Sequence, residues 1–142
     1  DTHDLTPVAK GGQINKDYVR ENANKLVKEF DVRTQSIFDT ASSLSGGNKQ
    51  KVVLARELSR NVELVVASQP TRGLDVGSIE FVYERLLAER AANRAVLLIS
   101  SELDEVSALA DRIAVIYKGE IVGIVSPDIS REKLGLMMAG IN

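Results

Sequence analysis

The chain has 142 residues, of which 44% are hydrophobic and 27% charged, and its formal net charge is -2. This length and composition suit one soluble globular domain, and the charge gives no basic surface for nucleic acid or anionic lipid. The absence of cysteine excludes disulfides and thiolate metal sites, and no apolar run approaches the ~20 residues that span a bilayer.

The first half of the chain predicts a polar loop and then two helices. Residues 1–15 are polar and contain Pro7 and a Gly-Gly pair, which are typical of a loop. Apolar residues recur at helical spacing over residues 16–30, and residues 31–44 look irregular. A second helix is predicted from just after Ser45 to about residue 60. Its inner face is expected to carry Val53, Leu54 and Leu58.

The second half alternates short apolar runs with helical patterns. Residues 63–67 and 95–100 are long enough for buried strands and too short for helices. Between them lies the clearest helical pattern, in which five residues fit the i, i+3, i+4, i+7, i+8 template: Ile79, Val82, Tyr83, Leu86 and Leu87. A short helix is expected over residues 103–110.

The end of the chain predicts a hairpin and a helix. Two apolar runs, 113–117 and 120–125, flank Lys118-Gly119, a pair typical of a tight turn. A last helix carries Leu134, Met137 and Met138. This order of strands and helices predicts an α/β fold with a parallel sheet.

One segment has the features of an anion site. Ser45 is a good helix N-cap, and Gly46 and Gly47 let a ligand approach the backbone without a Cβ in the way. The helix behind them presents unpaired N–H groups and the positive end of its dipole, which favour a phosphate. The alternative is simply a capped helix after a glycine turn. The whole segment reads Leu44, Ser45, Gly46, Gly47, Asn48, Lys49 and Gln50.

These seven residues resemble LSGGxxQ, the signature motif of the ATP-binding cassette (ABC) family. Residues 69–75 then resemble the end of the family's Walker B strand and its D-loop, and residues 99–103 fall at its switch-histidine loop. Residues 110–123 look like its closing hairpin, so the resemblance covers essentially the whole chain. The sequence of residues 67–77 is most similar to that of the second cassette of fused importers for simple sugars and nucleosides.

The resemblance implies one truncated ABC domain with a P-loop NTPase (RecA-like) core. Residues 1–60 would form part of the helical subdomain that ends in the signature helix, and residues 61–142 the second half of the core. No Gly-x-x-x-x-Gly-Lys-Ser/Thr motif occurs, so a P-loop that cradles the α- and β-phosphates is missing. We therefore expect the chain to begin partway through the domain and to need its missing N-terminal half.

The missing P-loop strand has a consequence for the sheet. In the family's strand order it lies between the strands at 95–100 and 113–117. Without it we expect a gap or an unpaired strand edge. Local rearrangement, or strand pairing with a second copy of the chain in a homodimer, would close that edge.

Three positions depart from the family's catalytic pattern. Ser68 stands at the magnesium-binding Asp, Gln69 at the catalytic Glu, and Ser101 at the switch histidine. Serine is a poor ligand for Mg²⁺, which prefers anionic oxygen, and glutamine cannot take a proton from water. We therefore expect a degenerate site, with no metal site and no hydrolysis of ATP by the isolated chain.

The loop of Gly73, Leu74 and Asp75 has two compatible interpretations. Asp75 is placed to cap the helix that begins near Val76, a common role for aspartate. By resemblance, Asp75 is also the D-loop aspartate that reaches across a cassette dimer.

In this family two cassettes sandwich ATP between the Walker A motif of one and the signature of the other. The resemblance implies that the signature here serves a site on a partner cassette, with ATP and Mg²⁺ in the intact transporter. Hydrolysis there would drive import of a sugar or nucleoside through permease subunits and a solute-binding protein, at the cytoplasmic face of the cell membrane and without nucleic acid. The alternatives are a soluble ABC-type ATPase without a transporter and a docking module that uses no nucleotide.

Overall fold

The computed structural model describes residues 7–10 and 12–141. Its strands and helices confirm the predicted α/β class, and none of the helices in this part of the chain is long and apolar enough to cross a membrane. The strands are β1 (Ala9–Lys10), β2 (Gln13–Ile14), β3 (Leu64–Ser68), β4 (Ala95–Ile99), β5 (Ile113–Tyr117) and β6 (Glu120–Val125). The helices are α1 (Lys16–Glu29), α2 (Gly46–Leu58), α3 (Val76–Ala91), α4 (Leu103–Leu109) and α5 (Arg131–Met138), with one 3₁₀ turn at Ala41–Ser43.

The chain forms two compact units. The first comprises the described residues up to Asn61 together with Gly73–Ser78, and the second comprises Val62–Arg72 and Ile79 onward. The loop that carries Asp75 thus belongs to the same unit as the signature segment. The division expected at residues 60 and 61 did not anticipate this return of the chain to its first unit.

The start of the first unit corrects one expectation. β1 and β2 pair antiparallel, with Ala9 opposite Ile14, so the loop predicted for residues 1–15 contains a pair of short strands. Gly12, at φ 78°, adopts the left-handed conformation that a tight turn between such short strands favours. The other glycine of the pair, Gly11, and residues 1–6 lie outside the described residues.

The helix α2 buries a narrower face than its sequence suggested. Leu54 and Leu58 are buried as predicted, together with Ala55. Val53 is exposed, so its predicted place on the inner face is wrong. The buried stripe turns toward Ala55, and Val53 lies about 100° round the helix from Leu54 on the other side.

The strands β3 and β4 form a parallel pair, with Leu64 opposite Ala95 and Ser68 opposite Ile99. This pairing confirms a parallel arrangement, but the strands are not fully buried as predicted. Side chains alternate across a sheet, and one face of this pair is exposed in the second unit. Its apolar members are Leu64, Val66, Leu97 and Ile99.

The hairpin β5–β6 confirms the predicted turn. Lys118 and Gly119 have φ values of 50° and 85°, the left-handed pair that a two-residue type I′ turn requires. Ile113 and Val115 form a buried core with Leu134 and Met137 of α5. Met138, the third apolar residue named for that helix, is exposed.

The two strand pairs of the second unit remain separate sheets. Within the described ranges, β3 pairs with β4 and β5 with β6, and no ladder joins β4 to β5. An interruption between these strands was expected from the sequence. Pairing with a second copy of the chain stays a prediction.

Candidate functional site

The helix α2 begins in the way that its sequence predicts. Ser45 is the N-cap, with φ -62° and ψ 163°, and its hydroxyl oxygen accepts a hydrogen bond from the N–H of Asn48 at 3.4 Å. The N–H of Lys49 makes the first helical bond, to Ser45 O at 2.9 Å. The N–H groups of Gly46 and Gly47 have no acceptor among the described residues. They remain available, at the positive end of the helix, to an anion.

Two contacts tie the start of α2 to the segment that follows α1. The N–H of Arg33 donates to Asn48 Oδ1 at 2.7 Å. Lys51 Nζ donates to both the backbone oxygen and the carboxylate of Asp31, at 3.0 and 2.6 Å. Both contacts join residues more than ten positions apart, and they fix the helix N-terminus against its own unit.

The two signature glycines differ in their surroundings. A Cβ on Gly46 would meet no atom within 4 Å, so packing in this unit does not explain why the residue is glycine. Gly47 is buried, and a Cβ there would overlap the hydroxyl of Ser78 at the start of α3. Gly47 therefore serves a close approach of two helix N-termini, whereas Gly46 leaves open space in front of α2.

Asp75 confirms its predicted capping role. Its carboxylate accepts hydrogen bonds from the Ser78 N–H at 3.0 Å and the Ser78 hydroxyl at 2.8 Å. The Ser78 hydroxyl and then its backbone N–H hold the pKa of Asp75 below the usual value of 3.8. Gly73, at φ 75°, and Leu74 complete the loop. The reach of Asp75 across a cassette dimer stays a prediction.

A second aspartate organises the loop before the signature. Asp39 Oδ2 accepts hydrogen bonds from the Thr34 hydroxyl at 2.6 Å and from the N–H groups of Gln35 and Ser36 at 3.0 Å each. The Thr34 hydroxyl and the backbone N–H groups lower the pKa of Asp39 below 3.8. The ammonium group of Lys51 lowers the pKa of Asp31 in the same direction.

These depressed values predict acid sensitivity of the first unit. A carboxyl group whose pKa is lower in the folded state stabilises the fold above the unfolded pKa, and its contribution is lost as the pH falls through the folded pKa. We expect the urea midpoint, followed by far-UV circular dichroism, to fall below about pH 4. Asp39→Asn should flatten this dependence, whereas Asp128→Asn should not, because Asp128 is exposed and its carboxylate makes no hydrogen bond in the described structure. Equal slopes in the two variants would contradict the prediction.

The three positions that depart from the family's catalytic pattern lie in the second unit. Ser68 ends β3, and Gln69 follows it with φ 49° while its N–H donates to Ile99 O at 2.8 Å. The Ser101 hydroxyl donates to Gln69 Oε1 at 3.4 Å. Gln69 and Ser101 are therefore brought together at the carboxyl ends of two parallel strands, where α/β folds place their ligands.

The chemistry at this edge does not suit Mg²⁺. The residues that would hold the ion or activate water are a neutral amide and two hydroxyls, whereas Mg²⁺ prefers carboxylate oxygen. Among the residues that the structure describes, no group of three or more His, Cys, Asp or Glu side chains could hold a metal. Gln69, Ser68 and Ser101 can offer an ATP at this edge only neutral hydrogen bonds.

Sequence reasoning missed a buried polar pair beside this edge. The Thr71 hydroxyl donates to Glu105 Oε1 at 2.8 Å, and Glu105 is 1% exposed. Its other oxygen has no partner among the described atoms. Burial, followed by the negative charge of Glu105, raises the pKa of the nearby Tyr83. The hydrogen bond joins the turn after β3 to α4. Its two residues are 34 positions apart, so local sequence patterns could not predict it.

Curated relatives match nearly the whole chain. The nucleoside import ATP-binding protein NupA of Lactococcus lactis is 49% identical over 142 residues, which cover 99% of this chain and 28% of that protein. The guanosine import ATP-binding protein NupO of Bacillus subtilis is 48% identical over 135 residues, 94% and 26% of the two chains. The glucose import ATP-binding protein TsgD13 of Haloferax volcanii is 49% identical over 135 residues, 92% and 24%. The chain thus spans about a quarter of the length of these relatives.

Solved structures match the fold. The dimeric ATP-binding cassette MJ0796, in a post-hydrolysis state bound to ADP and phosphate, has a TM-score of 0.70 at 22% identity, covering 85% of this chain and 52% of that one. The ABC transporter cassette MJ1267 has a TM-score of 0.67 at 22% identity, with coverage of 92% and 50%. No protein-family model matches the chain.

These likenesses define the class of protein. The chain has part of the fold of an ABC ATPase cassette, and its identity to ATP-binding proteins extends over nearly all its residues. Over nearly all its length the chain is therefore similar to one part of ATP-binding proteins of the ABC family. Within that family, the three relatives described above are import ATP-binding proteins for nucleosides or sugars.

Proposed function

We propose that this chain is part of the ATP-binding subunit of an importer for nucleosides or sugars. Its residues 45–47 bind the γ-phosphate of an ATP whose remaining phosphates are held by a partner cassette. The observation that carries the proposal is the pair of free N–H groups on Gly46 and Gly47 beside the exposed hydroxyl of Ser45. The helix dipole adds a positive field at the same point.

In this proposal the chain takes part in two unequal sites. Residues 1–60 belong to the helical subdomain and carry the signature of a competent site. Residues 61–142 belong to the core, and Ser68, Gln69 and Ser101 form the degenerate site of the same cassette pair. ATP with Mg²⁺ is hydrolysed at the competent site, where the magnesium ligands and the catalytic base come from the partner cassette.

The remaining partners follow from import. We infer that the N-terminal half of the domain completes this cassette and that membrane permease subunits hold the pair at the cytoplasmic face of the membrane. A solute-binding protein delivers the nucleoside or sugar. The names of relatives at 48 and 49% identity support this class of solute.

Transport is tested with the full-length protein and its permease in proteoliposomes. We expect ATP inside the vesicles to drive uptake of a labelled nucleoside or sugar, and uptake to fall to the level of empty vesicles without permease or with a non-hydrolysable ATP analogue. ATP hydrolysis that proceeds without any uptake of either solute class would instead indicate a soluble ABC-type ATPase. Binding to the permease that does not respond to nucleotide would indicate a docking module.

A further inference from the structure

Asn48 links the candidate phosphate site to the backbone of a preceding segment. Its Oδ1 accepts from the N–H of Arg33 at 2.7 Å, and its Nδ2 donates to Ser45 Oγ at 3.0 Å. A backbone N–H can only donate, so the side-chain atom that faces Arg33 must be the amide oxygen. Arg33 therefore fixes the orientation of the amide, and the NH₂ group of Asn48 has to face Ser45.

This orientation fixes the role of the Ser45 hydroxyl. A hydroxyl has two acceptor lone pairs and one donor hydrogen. Asn48 supplies a donor to each lone pair, from its backbone N–H at 3.4 Å and from its side chain at 3.0 Å. The hydroxyl hydrogen is then the only hydrogen-bonding group of the hydroxyl that is still unused, and no described residue accepts a hydrogen bond from it. Ser45 is exposed, so its hydrogen is directed to solvent or to a ligand.

We propose that Asn48 is a positioning residue that keeps the Ser45 hydroxyl as a hydrogen-bond donor toward the γ-phosphate. The inference rests on the proposed function, because it requires an anion at the N-terminus of α2. A hydrogen bond from a hydroxyl to an anionic oxygen is shorter and stronger than a neutral one. Asn48 thereby directs the single donor hydrogen of the Ser45 hydroxyl to the ligand, beside the N–H groups of Gly46 and Gly47.

The substitution Asn48→Asp tests the inference because it keeps the size and shape of the side chain and replaces its donor with an acceptor. The new carboxylate can still accept from Arg33 N–H, but it offers the Ser45 hydroxyl an acceptor in place of a donor. The serine hydrogen then points toward the Asp carboxylate and is no longer available to the phosphate. The added negative charge also weakens ATP binding, so the single variant is not sufficient.

A double-mutant cycle removes the effect of charge. Ser45→Ala is made in the wild-type and Asn48→Asp backgrounds of the full-length transporter, and KM for ATP and kcat are measured for each. In the wild type we expect Ser45→Ala to raise KM about tenfold or more, the size of one hydrogen bond to a charged group. In the Asn48→Asp background it should raise KM less than about twofold, because the hydroxyl no longer reaches the phosphate.

The control is Ser43→Ala in the same two backgrounds. The Ser43 hydroxyl donates to Thr40 O at 2.7 Å and makes no hydrogen bond to Asn48 in the described structure, so its effect should be equal in both. Equal tenfold losses for Ser45→Ala in the two backgrounds would overturn the role of Asn48 and leave the proposed function standing. No loss in either background would overturn the proposed phosphate site itself, and the inference with it.

A second variant keeps the test decisive if Asn48→Asp lowers the melting temperature. Asn48→Ala removes the donor without adding an acceptor, so the serine hydroxyl rotates freely. We expect the effect of Ser45→Ala on KM to be smaller in this background than in the wild type. An undiminished effect there would overturn the positioning role.

Discussion

The isolated 142-residue chain should show no magnesium-dependent hydrolysis of ATP. At its strand-end site Ser68, Gln69 and Ser101 offer only neutral groups, which bind Mg²⁺ poorly and cannot accept a proton from water. The loss of one group that stabilises transition-state charge typically costs ~10²–10³ in rate, and several are absent together. Release of phosphate from ATP with excess Mg²⁺ should therefore remain at the level of buffer.

Variants of the chain distinguish its own turnover from that of a contaminating ATPase. Activity that persists unchanged in Ser45→Ala and Gln69→Ala preparations comes from another protein. Turnover that either substitution abolishes, with the circular dichroism spectrum intact, would contradict the prediction. It would also mean that groups other than the familiar acid and base operate at this site.

The helix caps and the tight turn could be predicted from the sequence because they depend only on neighbouring residues. The caps of α2 and α3, by Ser45 and Asp75, were predicted because an N-cap is recognised from its own residue type and the few residues after it. The turn at Lys118-Gly119 was predicted for the same reason. In each case the hydrogen-bonded atoms lie within three residues of each other, so the local sequence determines which groups can form the bond.

The contacts that hold the site in place could not be predicted in this way. Asn48 meets the backbone of Arg33, and Thr71 meets Glu105, across 15 and 34 positions of sequence. Helical and strand periodicity says which face of an element is apolar, but not which polar atoms of distant loops will meet. Asn48 looked like one of the unspecified positions of LSGGxxQ, and only its hydrogen bonds give it a role.

The burial of β3 and β4 was predicted wrongly for a different reason. A short run of apolar residues favours a strand covered on both faces, and the runs at residues 63–67 and 95–100 have that composition. In the second unit only alternate side chains are covered, and Val66 and Leu97 remain exposed. The apolar composition of a strand indicates that both of its faces could be buried. In the described chain only one face is buried.

The signature glycine Gly46 should be intolerant of a side chain in the intact transporter. We expect Gly46→Leu to reduce ATP hydrolysis coupled to transport by at least ~10², since it removes the approach of the γ-phosphate to the free N–H groups of α2. No atom lies within 4 Å of a Cβ at this position, and leucine favours a helix more than glycine does. The melting temperature should therefore be unchanged or raised while activity is lost.

Gly47→Ala provides the matched comparison for a folding defect. Its Cβ would overlap the Ser78 hydroxyl, which is itself bonded to the Asp75 carboxylate. We expect this variant to lower the melting temperature as well as the rate. Loss of stability with Gly46→Leu of the same size as with Gly47→Ala would contradict the assignment of Gly46 to the ligand.

Gln69→Ala, in contrast, should change turnover little, although it lies in the same chain. An amide cannot act as the base, and the contact that is lost, to Ser101, is a 3.4 Å hydrogen bond at the surface. Alanine also tolerates the left-handed φ of 49° about as poorly as glutamine does, so the substitution adds little strain. ATPase rate and melting temperature are measured together for Gln69→Ala and Gly46→Leu. An equal loss of rate in the two variants, with both folded, would refute the separation into one competent and one degenerate site, because only a shared site would make the two positions equally important.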